Sequence, residues 1–483
     1  MEYQLEDKII INTFLNNRLF NNSLKKSDIE DQISREGIEL IIRPECNQTC
    51  EYCYIYKYGK ELYPIEERID NKQILNNLKS LLQYFNKRHC YINHWELFAG
   101  DLFYDNLYFD IADIFYDYFL DLYNKNNVLF KNNRVVEIIT PCNFSFCHDK
   151  EKIIKLKEYI AKFKKINVIL GFSWSHDGKY STDIREKEEL SDEFYKDVFT
   201  LINEEEFGIH AMISYEGIDN AIQNFDWWVE QYNTYLPDRK GIFPYSLEVR
   251  NSGWTKETID KYLKLLNHVI DYEFNLCNKD PKVFAHFIYN KGRKKYGCPD
   301  YNPENDFSVL HFKEHATNKM GCTLGHALSI NLSNLTLVPC HRLTYPQFRG
   351  AKFILEEAKT ENEYLNSKLS KEIVDIDCDL GMNAYLNIEF LSRDYRPGCS
   401  ICEYKGMCLQ GCLGSQYEAF SDFNIPIPEV CQLLKAKIDF IINKYNELKV
   451  LNVILTDKTL EFIEEDLNYL RNFLKKKGIK VNE

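Results

Sequence analysis

No run of apolar residues in this 483-residue chain reaches the roughly 20 needed to cross a bilayer. The start, MEYQLEDKII, has no basic lead, apolar stretch or small-residue cleavage site of a secretory signal. These absences point to a cytoplasmic protein with no membrane partner. Positive charge is also scarce, with 60 Lys and Arg against 73 Asp and Glu and a net charge of -13. An extended phosphate-tracking face needs clustered Lys and Arg, so the balance argues against nucleic acid as a partner. Internal repeats and low-complexity tracts are missing too, which removes solenoid and linker readings.

Cysteine, by contrast, is plentiful, at 16 residues. Disulfides are rare in the reducing cytoplasm, so metal ligation is the better reading of so many thiols. With 45% hydrophobic residues the chain has the composition of an ordinary globular protein and the length for two or three domains.

From Gly37 onward, short apolar runs alternate with longer amphipathic ones, the pattern of successive βα units. Six strands are predicted: Gly37 to Arg43, Tyr91 to Phe98, Val135 to Thr140, Ile166 to Ser173, Gly208 to Ser214 and Ser246 to Arg250. Helices are predicted at Asn71 to Lys87, Asp149 to Phe163, Asp192 to Glu205, Ile218 to Tyr232 and Thr255 to Tyr272. The implied fold is α/β, a partial (β/α)6 TIM-type barrel over residues 37–279. Residues 1–36 read as a helical lead-in, 280–321 as an irregular bridge with Pro281, Gly292, Pro299 and Pro303, 322–442 as a Cys-rich domain, and 443–483 as a helical segment. In such barrels the chemistry sits on the loops after the C-terminal ends of the strands.

Directly after the first strand, RPECNQTCEYC places Cys46, Cys50 and Cys53 on one short loop. Chance would produce that spacing only about 0.02 times per chain of this composition. Three thiolates can ligate three irons of a cubane cluster and leave the fourth open to a chelating molecule. A structural zinc site takes four ligands in a closed shell, and no further Cys or His follows within twenty residues.

The loop resembles the CxxxCxΦC signature of the radical S-adenosylmethionine (SAM) superfamily, with Tyr52 as the aromatic position. The resemblance implies a 4Fe–4S cluster that binds and cleaves SAM to a 5′-deoxyadenosyl radical, which abstracts hydrogen from a substrate. It also implies a low-potential electron donor such as flavodoxin or ferredoxin. Ala99, Gly100 and Asp101 stand where the family carries a Gly-Gly-Glu element that binds the SAM amine; Asp keeps the carboxylate. SWSHDGKYSTDIR resembles a further family segment, through which Ser175 and Arg185 would contact SAM. Glu248 and Arg250 share one face of the sixth strand. They read equally as substrate contacts or as a buried ion pair, and His94 with Glu96 poses the same choice. Cys90, Cys142, Cys147, Cys277 and Cys378 lack motif spacing and read as packed thiols.

A second set, Cys399, Cys402, Cys408 and Cys412, has the spacing C-x2-C-x5-C-x3-C, expected by chance about 0.0006 times per chain. With Cys322, Cys340 and Cys431 it reproduces the seven-cysteine order of the SPASM extension of radical SAM peptide and protein maturases. That resemblance implies two auxiliary 4Fe–4S clusters, an outer one on Cys399, Cys402, Cys408 and Cys431 and an inner one on Cys322, Cys340 and Cys412. The eighth cysteine of a complete inner cluster is missing. Either Cys298 reaches over from the bridge or an iron stays open. Leu335 replaces the Gly expected five residues before Cys340, which predicts a different local turn. A zinc ribbon would account for four of these cysteines but not for seven.

Anaerobic sulfatase maturases carry an Asp after the second SPASM cysteine, whereas here Cys340 is followed by His341 and Arg342. His341 can serve as a base or stand as a cluster-adjacent residue. VRNSGW and VPCHR resemble maturases of ribosomally made peptides. The leading expectation is a precursor-peptide substrate and a crosslink, a thioether to Cys. Formylglycine formation, epimerisation and a non-catalytic iron–sulfur or zinc scaffold are the alternatives.

Overall fold

This computed structural model describes residues 32–33, 37–50, 53–98, 100–174, 176, 178–180, 191–204, 207–235, 245–248, 253–294, 328–358, 370–377, 396–408, 411–460 and 464–481. The chain divides into two compact units. The first is Met1–Trp174 with Ile184–Phe207 and His326–Asn387; the second is Ser175–Asp183 with Gly208–Gly325 and Ile388–Glu483.

In chain order, the first unit supplies β1 (Gln32–Ile33), β2 (Ile38–Ile41), α1 (Tyr54–Leu62), α2 (Asn71–Lys87), β3 (Cys90–Tyr91), β4 (His94–Phe98), α3 (Leu107–Asn124), β5 (Val136–Cys142), α4 (Lys150–Lys164), β6 (Val168–Trp174) and α5 (Asp192–Glu204). The second unit follows with β7 (Phe207–Met212), α6 (Ala221–Tyr235), β8 (Tyr245–Glu248), α7 (Lys256–Leu276) and α8 (Pro281–Lys294). The chain returns to the first unit for β9 (Leu328–Asn331), β10 (Thr336–Val338), β11 (Ala351–Glu357) and β12 (Lys371–Asp377). It closes in the second with α9 (Leu413–Phe420), α10 (Pro428–Glu447), α11 (Val450–Thr456) and α12 (Glu464–Lys476).

Eight strands of the first unit form one mixed sheet in the order β12-β11-β10-β9-β2-β4-β5-β6. From β9 to β6 the neighbours are parallel, while β10, β11 and β12 extend the sheet as an antiparallel meander. One face is dry: Ile38, Leu40, Trp95, Leu97, Val136 and Ile138 are buried. Trp95 packs edge-on against Phe85 of α2 and Phe115 of α3, at 6.3 and 5.2 Å between ring centres. The registers Glu39↔Glu96, Ile41↔Phe98 and His94↔Glu137 put the polar residues on the other face. The sheet is thus helix-covered on one side and chemically loaded on the other. In the second unit β7 pairs parallel with β8.

Helix starts follow local chemistry. Asp70 accepts the Gln73 N–H at 2.8 Å to begin α2, and Thr255 with Thr258 forms a capping box at α7.

The α/β class read from the sequence holds, and four local readings change. The second predicted strand is two: β3 pairs with β1, while β4 joins the main sheet. Residues 32–33 of the helical lead-in are strand. The bridge, read as irregular, contains α8, because Pro281 fits the first helical position and Asp280 Oδ1 caps it by accepting the N–H groups of Lys282 and Val283. Leu335 adopts φ +54°, the left-handed conformation usually given to Gly, so the turn before Cys340 is kept without glycine.

Candidate metal centres

The cysteine loop leaves the C-terminal end of β2 and is zipped onto the end of β4. Phe98 O accepts from Ile42 N–H at 2.8 Å, Arg43 O from Gly100 N–H at 2.9 Å and Glu45 O from Asp101 N–H at 2.8 Å. A Cβ at Gly100 would stand 2.0 Å from Glu45 O and 2.5 Å from Pro44 O, so only glycine fits. Beneath the loop, the buried Arg43 guanidinium grips both Asp105 oxygens at 2.6 and 2.5 Å and also reaches Asn71. Those hydrogen bonds pull the Asp105 pKa down to about 2.

None of the described cysteines is in a disulfide. Cys46 is exposed and Cys50 buried. Cys53 is the N-cap of α1, its N–H donating to Cys50 O at 3.0 Å. The packing around the Cys46 thiol pushes its pKa up to about 11, with the charges of Asp101 and Cys53 adding to the rise. Asn143, at the end of β5, donates to Asn47 Oδ1 at 2.7 Å and lies 3.9 Å from Cys46 Sγ. Asp101 is buried, and its carboxylate accepts from Phe103 N–H at 2.9 Å and Ser145 Oγ at 3.2 Å; burial raises its pKa.

Cys340, far along the chain, comes to the same region. Tyr54 and Tyr63, both pushed up in pKa by burial, lie within electrostatic reach of Cys53 and Cys340 alike. His341 stacks on Phe98 at 3.9 Å between ring centres and 10° between planes. Its backbone N–H donates to Glu39, and its Nδ1 lies 3.0 Å from the same carboxylate, which also accepts from Ser329 Oγ at 2.5 Å. Glu39 is fully buried. Burial alone would raise its pKa, but the charge and hydrogen bonds of His341, with Ser329, outweigh it and hold it below the usual carboxylate range. The sequence reading missed Glu39; its one signal was a carboxylate in an otherwise apolar strand, IELI.

His94 is resolved as an ion-pair member. Its ring nitrogens lie 3.1 Å from Glu137 and 3.2 Å from Glu96. Burial works to lower its pKa, but the two carboxylates outweigh it and raise the value to about 10. The trio sits at the N-terminal ends of β4 and β5, at the opposite end of the sheet from the cysteine loop.

In the second unit a run of turns carries the other set. Arg396 O accepts from Cys399 and Ser400 N–H, Cys399 O from Cys402 N–H and Tyr404 O from Cys408 N–H. Cys412 is the N-cap of α9, and Cys431 lies in the first turn of α10. Cys431 is close enough to Cys399 and Cys402 for their charges, after burial, to push its pKa up. Helix α12 clamps the run: Tyr469 Oη accepts from Gly406 N–H at 3.0 Å and donates to Glu403 O at 2.9 Å.

Among the described residues no three or more Cys, His, Asp or Glu side chains are gathered closely enough to hold a metal ion. The donor sets nevertheless fit iron–sulfur chemistry in kind, being thiols on short loops at helix N-termini. Tyr52, Ala99, Ser175, Arg185, Arg250, Cys298, Cys322 and Cys378 lie outside the described residues, as does the side chain of Glu248. Cys90, Cys142, Cys147 and Cys277 are buried.

No protein-family model matches the chain, and no curated protein matches it either. Among solved structures it is similar to one described, in hexahistidine-tagged form, as "anSMEcpe with bound AdoMet", at 14% identity and a TM-score of 0.48. The match covers 85% of this chain and 99% of that one. No helix among the described residues is long and apolar enough to cross a membrane.

Proposed function

We propose that this chain is a radical SAM peptide maturase with a partial (β/α)6 barrel and a SPASM-type auxiliary domain. The observation that carries the reading is the Cys46, Cys50, Cys53 loop, placed at the C-terminal end of a parallel strand and zipped to Gly100. When bound, SAM and a reduced 4Fe–4S cluster supply one-electron sulfonium cleavage and hydrogen abstraction. The chain's own part is to hold that cluster through three thiols and leave one iron for SAM. Gly100 and Asp101 bring backbone close to the loop, with Ala99, Ser175 and Arg185 as further SAM contacts. Cys399, Cys402, Cys408 and Cys431 hold the outer auxiliary cluster and Cys322, Cys340 and Cys412 the inner one.

The substrate in this reading is a ribosomally made precursor peptide, and the product a thioether from Cys to a neighbouring residue, with one hydrogen atom going to the 5′-deoxyadenosyl radical, the thiol proton to the chain and the remaining electron to an auxiliary cluster. Glu248 and Arg250 are substrate contacts. His341 is the residue assigned to handle the proton, held in place by Glu39 at Nδ1. A flavodoxin or ferredoxin supplies the electron. The test is anaerobic reconstitution with iron and sulfide, followed by SAM, reductant and a Cys-containing precursor peptide. Formation of 5′-deoxyadenosine and loss of two hydrogens from the peptide, with no aldehyde trapped, are expected. A trapped aldehyde turns the reading to formylglycine formation. Absence of SAM cleavage with zinc bound instead of iron defeats it.

A further inference from the structure

We propose that helix α12 is a latch on the second cysteine run: docked, it fixes the turn between Cys402 and Cys408, and released, it opens both thiols to reaction. The inference goes beyond the function proposed above and needs no bound metal. It starts from the stretch NYLRNFLKKK, in which Tyr469, Phe473 and Lys477 stand four residues apart and so share one face of a helix. Lys477 lies one residue past the end of α12, but its N–H still donates to Phe473 O at 3.0 Å and keeps it in line. Gly478 then takes φ +69°, the left-handed conformation that closes a helix, and Ile479 N–H returns to Leu474 O.

All three residues of the stripe meet one short turn, Glu403 to Gly406. The turn's own hydrogen bonds run from Lys405 N–H to Cys402 O and from the N–H groups of Met407 and Cys408 to Tyr404 O. Tyr469 Oη supplies two more, accepting from Gly406 N–H at 3.0 Å and donating to Glu403 O at 2.9 Å. A side chain of α12 thus satisfies backbone groups that the turn does not satisfy itself. Phe473 packs on the Tyr404 ring at 5.4 Å between centres, and Lys477 reaches the Tyr404 hydroxyl, Glu403 at 3.2 Å and Asp439 of α10 at 3.5 Å. A Cβ at Gly406 would stand 2.3 Å from Tyr469 Cζ. The Gly406 backbone is not left-handed, so close approach of the Tyr469 ring is what calls for glycine there. Cys402 and Cys408, at the two ends of this turn, are half-buried. A few hydrogen bonds and an ion pair hold the turn to the helix, and contacts of that strength open locally without global unfolding.

The experiment times iodoacetamide labelling of the full, reduced, metal-free chain, with peptide mass mapping to read each cysteine separately. The parent is compared with Tyr469→Phe, which keeps the ring and removes both hydroxyl hydrogen bonds, and with Gly406→Ala, which drives the ring off the turn. Labelling of Cys402 and Cys408 is expected to speed up about tenfold in Tyr469→Phe and further in Gly406→Ala. Cys46, in the first unit, should keep the parent rate. Equal rates at Cys402 and Cys408 in all three proteins overturn the proposal. Cys277, buried in the same unit, and Cys147, buried in the first, report unfolding. If they also speed up in Gly406→Ala, Tyr469→Phe decides alone. If they speed up in Tyr469→Phe as well, the contact holds the whole fold, and the latch is overturned. None of these outcomes depends on iron, so the cluster reading stands or falls separately.

Discussion

The two cysteine centres hold their donors by opposite means. The first is a single short loop laid on the end of a parallel sheet, with an exposed Cys46, a buried Cys50 and the nearby carboxyl of Asp101. The second is spread over a turn, an N-cap and the first turn of a distant helix. A loop of three thiols with one exposed edge suits a cluster that must admit a ligand. The contiguous set thus mixes an exposed and a buried thiol, whereas the five cysteines of the dispersed set are all half-buried.

Cysteine substitutions test this division most severely. Cys50→Ala is expected to abolish 5′-deoxyadenosine formation outright, while Cys402→Ala lowers bound iron and leaves some SAM cleavage. If both variants stop cleavage with equal completeness, the division of labour between the centres is wrong. Next in size is Gly100→Ala. Its Cβ would collide with the Glu45 and Pro44 carbonyl oxygens, and backbone cannot yield as a side chain can. Iron uptake should be lost at the first centre and kept at the second, as read by iron analysis and auxiliary-cluster EPR; retention at both would show that the loop moves freely.

The smallest expected effect concerns the far end of the sheet, where His94 is paired and no cysteine centre lies. Its pKa is raised from 6.5 to about 10 in the folded chain by Glu137 and Glu96, against burial. Such a group adds stability that is complete below the unfolded pKa and fades as pH rises toward the folded one. Urea midpoints of the parent and His94→Gln should therefore differ most at acidic to neutral pH and converge near pH 10. SAM cleavage should be unaffected wherever both proteins remain folded. A constant difference across pH would mean that His94 acts by packing alone.

Much of the local architecture was readable in the chain. Helix α2 occupies Asn71–Lys87, the span its periodicity predicts, and β5 and β6 lie within two residues of the predicted strands at each end. The cysteine spacings stood out because metal ligation needs thiols at short, fixed separations. The meander of β9 to β12 was hidden, since its strands are short and its role depends on β9 finding β2 from far along the chain.

What the sequence determined by itself was the donor chemistry: which cysteines share a loop, and which helices and strands carry them. Tertiary structure decided the surroundings of those donors. It brought Glu39 to His341, Cys340 to the neighbourhood of Tyr54 and Cys53, and Arg396 to Gln416. The physical reason is the range of the forces. Periodicity, caps and turn residues act over a few positions, whereas burial of a charge and the partners that stabilise it depend on packing between segments far apart in the chain.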